Sequence, residues 1–247
     1  MAVPAAAPQV LVVQPAPVEV RAHPVARGLS QRRSSRQHQR AASDVGASTR
    51  QLVTAQQQPK LSCDVGAAGA TAHAVGRLMG TDCEVRATCS RARDALEVVN
   101  IGWAAIVECE QLWSRFSANS ELSQLNRHAR EQPWSGETSD LTATLIAAMV
   151  WAHQYTAGWV DAALLPEVIG SGYDRDFSEI AASGGSSPGR GAQAIAADER
   201  RTSVMANVTV HDRWVDVGVG VQLDSGGIGK GLAADLVAEL LMREGAF

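Results

Sequence analysis

At 247 residues the chain can hold one large domain or two small ones, and its 45% hydrophobic content supplies a core. A net charge of −4 and a pI near 5.9 argue against a nucleic-acid surface over the whole length. No apolar run approaches the roughly 18 residues of a membrane span, and no apolar stretch behind a basic start marks a secretory signal. Cys63, Cys83, Cys89 and Cys109 show no CxxC spacing and no paired histidine, a pattern of reduced thiols in a cytoplasmic protein.

Residues 1–74 are rich in Ala, Pro, Gln and Ser, carry a basic cluster (Arg32, Arg33, Arg36, Arg40) and keep no sustained period. They read as a disordered tail, which leaves 75–247 as the folded portion, starting near Gly76. Thr81 to Ala87 reads as a short strand behind the Met79-Gly80 turn. Leu96, Val99, Trp103, Ile106 and Trp113 recur at helical spacing and predict a helix from about Asp94, a plausible cap, to Trp113. Ser120 ahead of Glu121 and Leu122 marks a second, shorter start that ends near Asn126. A helix over about 140–157 follows, with Leu141, Leu145, Ala148, Met149, Ala152 and Tyr155 inward. Thr138 or Ser139 caps it and Gly158 ends it. Then come a loop to Tyr173, a Ser183-to-Gly191 insert, strands near 203–211 and 214–223, and a final helix. Helices followed by strands indicate an α+β fold rather than strict βαβ alternation.

The most informative stretch runs from Val215 to Glu239. Val215, Val217, Val219, Val221 and Leu223 alternate with Asp216, Gly218, Gly220, Gln222 and Asp224, and Ser225, Gly226, Gly227 and Gly229 form a turn. Leu232, Leu236 and Leu240 then keep helical spacing. A helix opening at a Gly-rich turn gathers free N–H groups and partial positive charge, which suits a phosphate, and Lys230 adds a full charge. The bland alternative is an ordinary strand-turn-helix connection with a solvated lysine. Spacing excludes a P-loop, because Asp224 and Gly231 occupy the places of its first Gly and its Ser/Thr. A dinucleotide fingerprint fails at Leu223. Asp161, a loop acid, is on its own most simply solvated or capping.

Together these segments resemble the ApbE family, the FAD:protein FMN transferases. The motifs are MGT at Met79 to Thr81, SRFSANSELSQLN at Ser114 to Asn126, GWVDAALLP at Gly158 to Pro166 and LDSGGIGKGLAAD at Leu223 to Asp235, with GYDRDF at Gly172 to Phe177 similar to the actinobacterial branch. The resemblance implies an ApbE-like fold, helices packed on a mostly antiparallel sheet. It implies enzymes that bind FAD, cleave its pyrophosphate with Mg²⁺, and attach FMN by a phosphoester to Ser or Thr of an acceptor flavoprotein. By matched position, Met79, Phe116, Asp161, Ala162, Ala163, Asp224 and Lys230 are expected to contact FAD, and the carbonyl of Gly227 to be one metal ligand.

The sequence departs from the family pattern at Ala163, where Thr is usual, at Gly229, where Ala is commoner, and in the 183–191 insert. It also stops at Phe247, before the C-terminal portion with a His-containing motif and the Asp and Thr that complete the metal site. The expectation is that this chain alone is inactive. Asp64 to Thr71 is similar to the acceptor motif such enzymes modify, with Thr71 at the esterified place, but Val65 and Ala68 depart from it. Two other readings stay open: a non-catalytic FAD-binding or scaffold fragment, and a nucleotide module for another phosphate.

Overall fold

The computed structural model describes residues 10–13, 57–174 and 203–247, which fall into two compact units. The first comprises the described residues up to Glu110 together with Lys230–Phe247; the second is Gln111–Gly229. Helix α1 (Ala92–Trp113) belongs to the first up to Glu110 and ends in the second, and helix α5 (Gly229–Arg243) lies almost wholly in the first.

The first unit is built on a four-stranded sheet of order β1-β4-β3-β2. Its strands are β1 (Val10–Val13), β2 (Lys60–Gly66), β3 (Gly69–Leu78) and β4 (Thr81–Cys89). β2, β3 and β4 form an antiparallel meander joined by two-residue loops, while β1 pairs with β4 in parallel. Period-two alternation puts Thr81, Cys83, Val85, Ala87 and Cys89 of β4 on the buried face, with Ala70, Ala72, Ala74 and Leu78 of β3. Against them α1 buries Ala95, Val99, Trp103 and Ile106, and α5 buries Leu236, Val237, Leu240 and Leu241. Gly102 is what lets these layers close. A Cβ there would stand 2.8 Å from Leu241 Cδ2 and 3.0 Å from Val85 Cγ1.

The second unit contains α2 (Glu121–Ala129), β5 (Trp134–Glu137), α3 (Asp140–Tyr155), α4 (Leu165–Gly170), a 3-10 turn at Val204–Asn207, β6 (Val208–His211) and β7 (Trp214–Val217). The last two strands and β5 make an antiparallel sheet of order β5-β7-β6. Ser120 caps α2, its hydroxyl accepting from Ser123 N at 3.1 Å, and Ser139 caps α3 by accepting from Thr142 N at 3.2 Å. Glu121, the first residue of α2, accepts from both the backbone and the hydroxyl of Ser139, so one carboxylate ties two helix starts together. α3 ends in a Schellman arrangement, with Gly158 N on His153 O and Ala157 N on Gln154 O. Ala157 itself holds a left-handed φ of 50°.

Several elements differ from the sequence expectation. The expected boundary at residue 74 falls inside β3, and pairing already begins at Lys60. The alanines of β3 look compositionally like a tail but are buried in the sheet. The rest of the expected tail, apart from β1, and the 183–191 insert lie outside the described residues. The strand expected over 214–223 stops at Val217, because Gly218 N turns to Asn207 O and Gly220 N to Ala129 O. The stretch expected as a strand from 203 opens with the 3-10 turn. Helix α2 runs a turn past Asn126, and α1 starts two residues ahead of Asp94, which instead pairs with Arg91 at 2.7 Å. Tyr155 faces outward at 77% exposure, stacked on Trp151 with ring centroids 4.8 Å apart. No helix among the described residues is long and apolar enough to cross a membrane.

Candidate functional site

In the second unit, segments far apart in sequence converge on Leu223 to Ser225. The buried side chain of Asn126, on α2, donates to Leu223 O at 2.8 Å and accepts from Leu223 N at 2.7 Å. A carboxamide thus takes the place of a neighbouring strand where β7 has already ended. Asp224 N donates to Ala162 O at 2.8 Å, and Ser225 Oγ donates to Trp113 O at 2.9 Å. The turn closes with Ile228 N and Gly229 N both donating to Ser225 O, and α5 starts there.

Arg115 joins three of these segments. Its Nε lies 3.2 Å from Asp224 Oδ1, its Nη1 donates to Tyr173 O at 2.7 Å, and its Cζ sits 4.4 Å from the centroid of the Phe116 ring. The two ion-paired side chains are 12% and 18% exposed, so the charges are partly desolvated and screened less than a surface pair. Asp224 Oδ1 is buried and accepts no aligned hydrogen bond, which leaves it capacity for a further donor. The buried indole N–H of Trp113 also has no acceptor. Gly226 lies close beside this carboxylate: a Cβ there would stand 3.1 Å from Asp224 Oδ2, so the carboxylate would have to shift to admit one.

Phe116 is 48% exposed and presents an aromatic face to solvent under a guanidinium. Asp161 uses Oδ1 to accept Ala163 N at 2.8 Å, so its carboxylate shapes the turn that offers Ala162 O to Asp224. Ala162 and Ala163 are each 6% exposed. Phe116, Asp161 to Ala163 and Asp224 are therefore brought together, by Arg115 and by the Ala162–Asp224 backbone bond. Arg115 lies inside the SRFSANSELSQLN motif, but its spacing gives it no role of its own; the signal for it is its place beside Phe116.

Gly227 is exposed, three residues past Asp224. Among the described residues no group of three His, Cys, Asp or Glu could hold a metal ion. A lone backbone carbonyl does not make a Mg²⁺ site, because Mg²⁺ demands several hard oxygens in near-octahedral array. The residues present therefore do not fit that ion by themselves. What they do bring together is an exposed aromatic face, a carboxylate with capacity for a further donor and a glycine turn leading into a helix.

Met79 and Lys230 belong to the other unit. Lys230 is the second residue of α5 and half-buried. Met79 is half-buried in the β3–β4 turn, with φ of 52° followed by 70° at Gly80, the positive pair of a type I′ hairpin. In that unit Thr71 Oγ1 shares a 2.9 Å hydrogen bond with Thr88 Oγ1 across β3 and β4.

The chain belongs to the ApbE family, whose model matches residues 79–246, more than half of the sequence. Among solved structures it is similar to the apo flavinyl transferase ApbE of Pseudomonas stutzeri, with 19% identity and a TM-score of 0.54 over 76% of this chain. It is also similar to the flavin transferase ApbE of Vibrio cholerae, with 20% identity and a TM-score of 0.50 over 75% of this chain. At that identity the likeness establishes the fold, mixed helices and antiparallel sheet. The chain spans about half the length of these relatives, 54% and 55% of them respectively. No curated protein matches.

Proposed function

We propose that this chain serves flavin transfer as the FAD-binding portion of an FAD:protein FMN transferase. In the overall reaction a Ser or Thr hydroxyl of an acceptor flavoprotein attacks the FMN phosphorus of FAD. The pyrophosphate bond breaks, AMP leaves, and the hydroxyl proton passes to solvent or base. The observation that carries the reading is the Arg115 clamp, which holds an exposed Phe116 ring and the ion-paired Asp224 carboxylate together at the glycine turn. An aromatic face suits stacking on a flavin or adenine ring, and a buried carboxylate oxygen suits a ligand N–H or O–H. Backbone N–H groups at the start of α5 suit a phosphate. Lys230 and Met79 are proposed as further FAD contacts on the family resemblance, as are Asp161, Ala162 and Ala163.

Mg²⁺ would need oxygens besides Gly227 O, from the ligand's phosphates, water or another polypeptide. That shortfall favours one second reading, an FAD-binding fragment without chemistry. The four free thiols support a reducing, cytoplasmic setting.

Titrating FAD into the purified chain, followed by flavin fluorescence, tests the binding claim, and no saturable binding would sink it. Mass spectrometry of an acceptor protein incubated with chain, FAD and Mg²⁺ separates the two readings. An FMN-sized adduct with AMP release supports transfer; binding without either supports the fragment.

A further inference from the structure

We infer that Glu110 is a positioning residue that holds Met79 in its left-handed conformation and so presents it to the ligand. The inference rests on the proposed reading of Met79 as a flavin contact.

The β3–β4 connection has only two residues, Met79 and Gly80, between the paired Leu78 and Thr81. Its type I′ geometry wants positive φ at both places, and the first is normally Asn, Asp or Gly, which reach that region at low cost. Methionine has neither a short polar side chain to bond locally nor a missing Cβ. A residue kept at φ 52° against its preference persists only where its surroundings over-determine it.

Glu110, in the sixth turn of α1, supplies that determination. Its Oε1 accepts Met79 N at 2.7 Å, the N–H that a two-residue hairpin leaves outside its own ladder. Its Oε2 accepts Gln57 Nε2 at 2.9 Å, and Gln57 O in turn accepts Trp103 Nε1 at 2.6 Å. Trp103 is 1% exposed and seated against Gly76, where a Cβ would come within 2.9 Å of its ring. The carboxylate that grips the turn is thus itself gripped from the core. A charge-assisted bond of this kind is stronger than a neutral one and fixes the direction in which Met79 leaves the backbone. Plain hairpin stability would be served better by asparagine at 79; the Glu110 bond makes sense where the methionine side chain itself is wanted.

The test is a double-mutant cycle in the full chain, with FAD affinity and thermal midpoint measured for each variant. Glu110→Gln keeps an amide oxygen for Met79 N and is expected to bind within about threefold of the parent. Glu110→Ala is expected to bind about tenfold more weakly while remaining folded, and Met79→Ala to lose a similar factor. The double variant should be no worse than Met79→Ala alone, because Glu110 acts through Met79. Full affinity in a folded Glu110→Ala protein, or losses that simply add, would overturn the inference while leaving FAD binding intact. Absence of FAD binding by the unaltered chain would overturn the functional reading and this inference with it.

Discussion

The carboxamide of Asn126 and the backbone of Leu223 exchange two hydrogen bonds, at 2.8 and 2.7 Å, in a fully buried setting. This pair sews the end of the SRFSANSELSQLN segment to the start of the glycine turn, one residue before Asp224.

Replacing Asn126 should therefore be costly. Asn126→Ala leaves a buried N–H and a buried C=O of Leu223 without partners, each worth about 1–3 kcal/mol. We expect a loss of about 2–4 kcal/mol in urea unfolding. Asn126→Asp should be no better, because a carboxylate cannot donate to Leu223 O. A change under 0.5 kcal/mol in Asn126→Ala would show that water or local relaxation satisfies the strand.

Arg115→Ala should weaken FAD binding about tenfold, by leaving Asp224 partly buried without its cation and Phe116 without its guanidinium cover. Arg115→Lys retains a charge but cannot reach Asp224, Tyr173 O and the ring at once, and should fall between the two. Fluorescence titration at fixed ionic strength reads both. Equal affinity in all three proteins would remove the clamp from the site.

Lys230→Ala should lower FAD affinity and flatten its dependence on salt, since a point charge on a phosphate is screened over about 10 Å at 0.1 M. Unchanged affinity, with an unchanged salt slope, would remove Lys230 from the site.

The thiols give a pH prediction. Burial, aided by the charges of Glu110 and Glu84, pushes Cys83 up to about 12 from 9.0, and burial likewise raises Cys89 and Cys109. Cys63 alone is not fully buried. At pH 8 a disulfide reagent should titrate one thiol per native chain quickly, at Cys63, and four after denaturation. The raised folded values favour the protonated thiol. Their stabilising effect is present below about pH 9 and grows no further there; as pH climbs from about 9 toward 12, the unfolded chain sheds protons that the folded one keeps. Stability should then fall by up to about 1.4 kcal/mol per pH unit per buried thiol. The Cys83→Ala variant should lose part of this fall, and an alkaline limb as steep as the parent's would count against it.

Much of the helical architecture was legible because it rests on local rules. The Trp103–Ile106 stripe, the Ser120 and Ser139 caps and the leucines of α5 all express period and capping that neighbours in sequence decide. What was hidden depends on distant partners. Val221 and Leu223 keep a strand's alternation and are buried, yet Leu223 is bonded by a side chain from α2 rather than by a strand. β3 buries its hairpin face with alanines, whose smallness hid the strand inside a tail-like composition. At the candidate site the family motifs marked the segments, but spacing could not say that Asp161 would turn its carboxylate onto Ala163 N, or that Arg115 would join Phe116, Tyr173 and Asp224.

The separation of 97 residues between Asn126 and Leu223 also bears on the order in which the molecule assembles. The β2–β3–β4 meander closes through two-residue loops and can form early, with little chain entropy lost per contact. The site segments of the second unit come together only after a long excursion of chain has been closed. Local structure should thus appear quickly during refolding, while the Arg115–Asp224 pair and the glycine turn are acquired late, in the slowest phase.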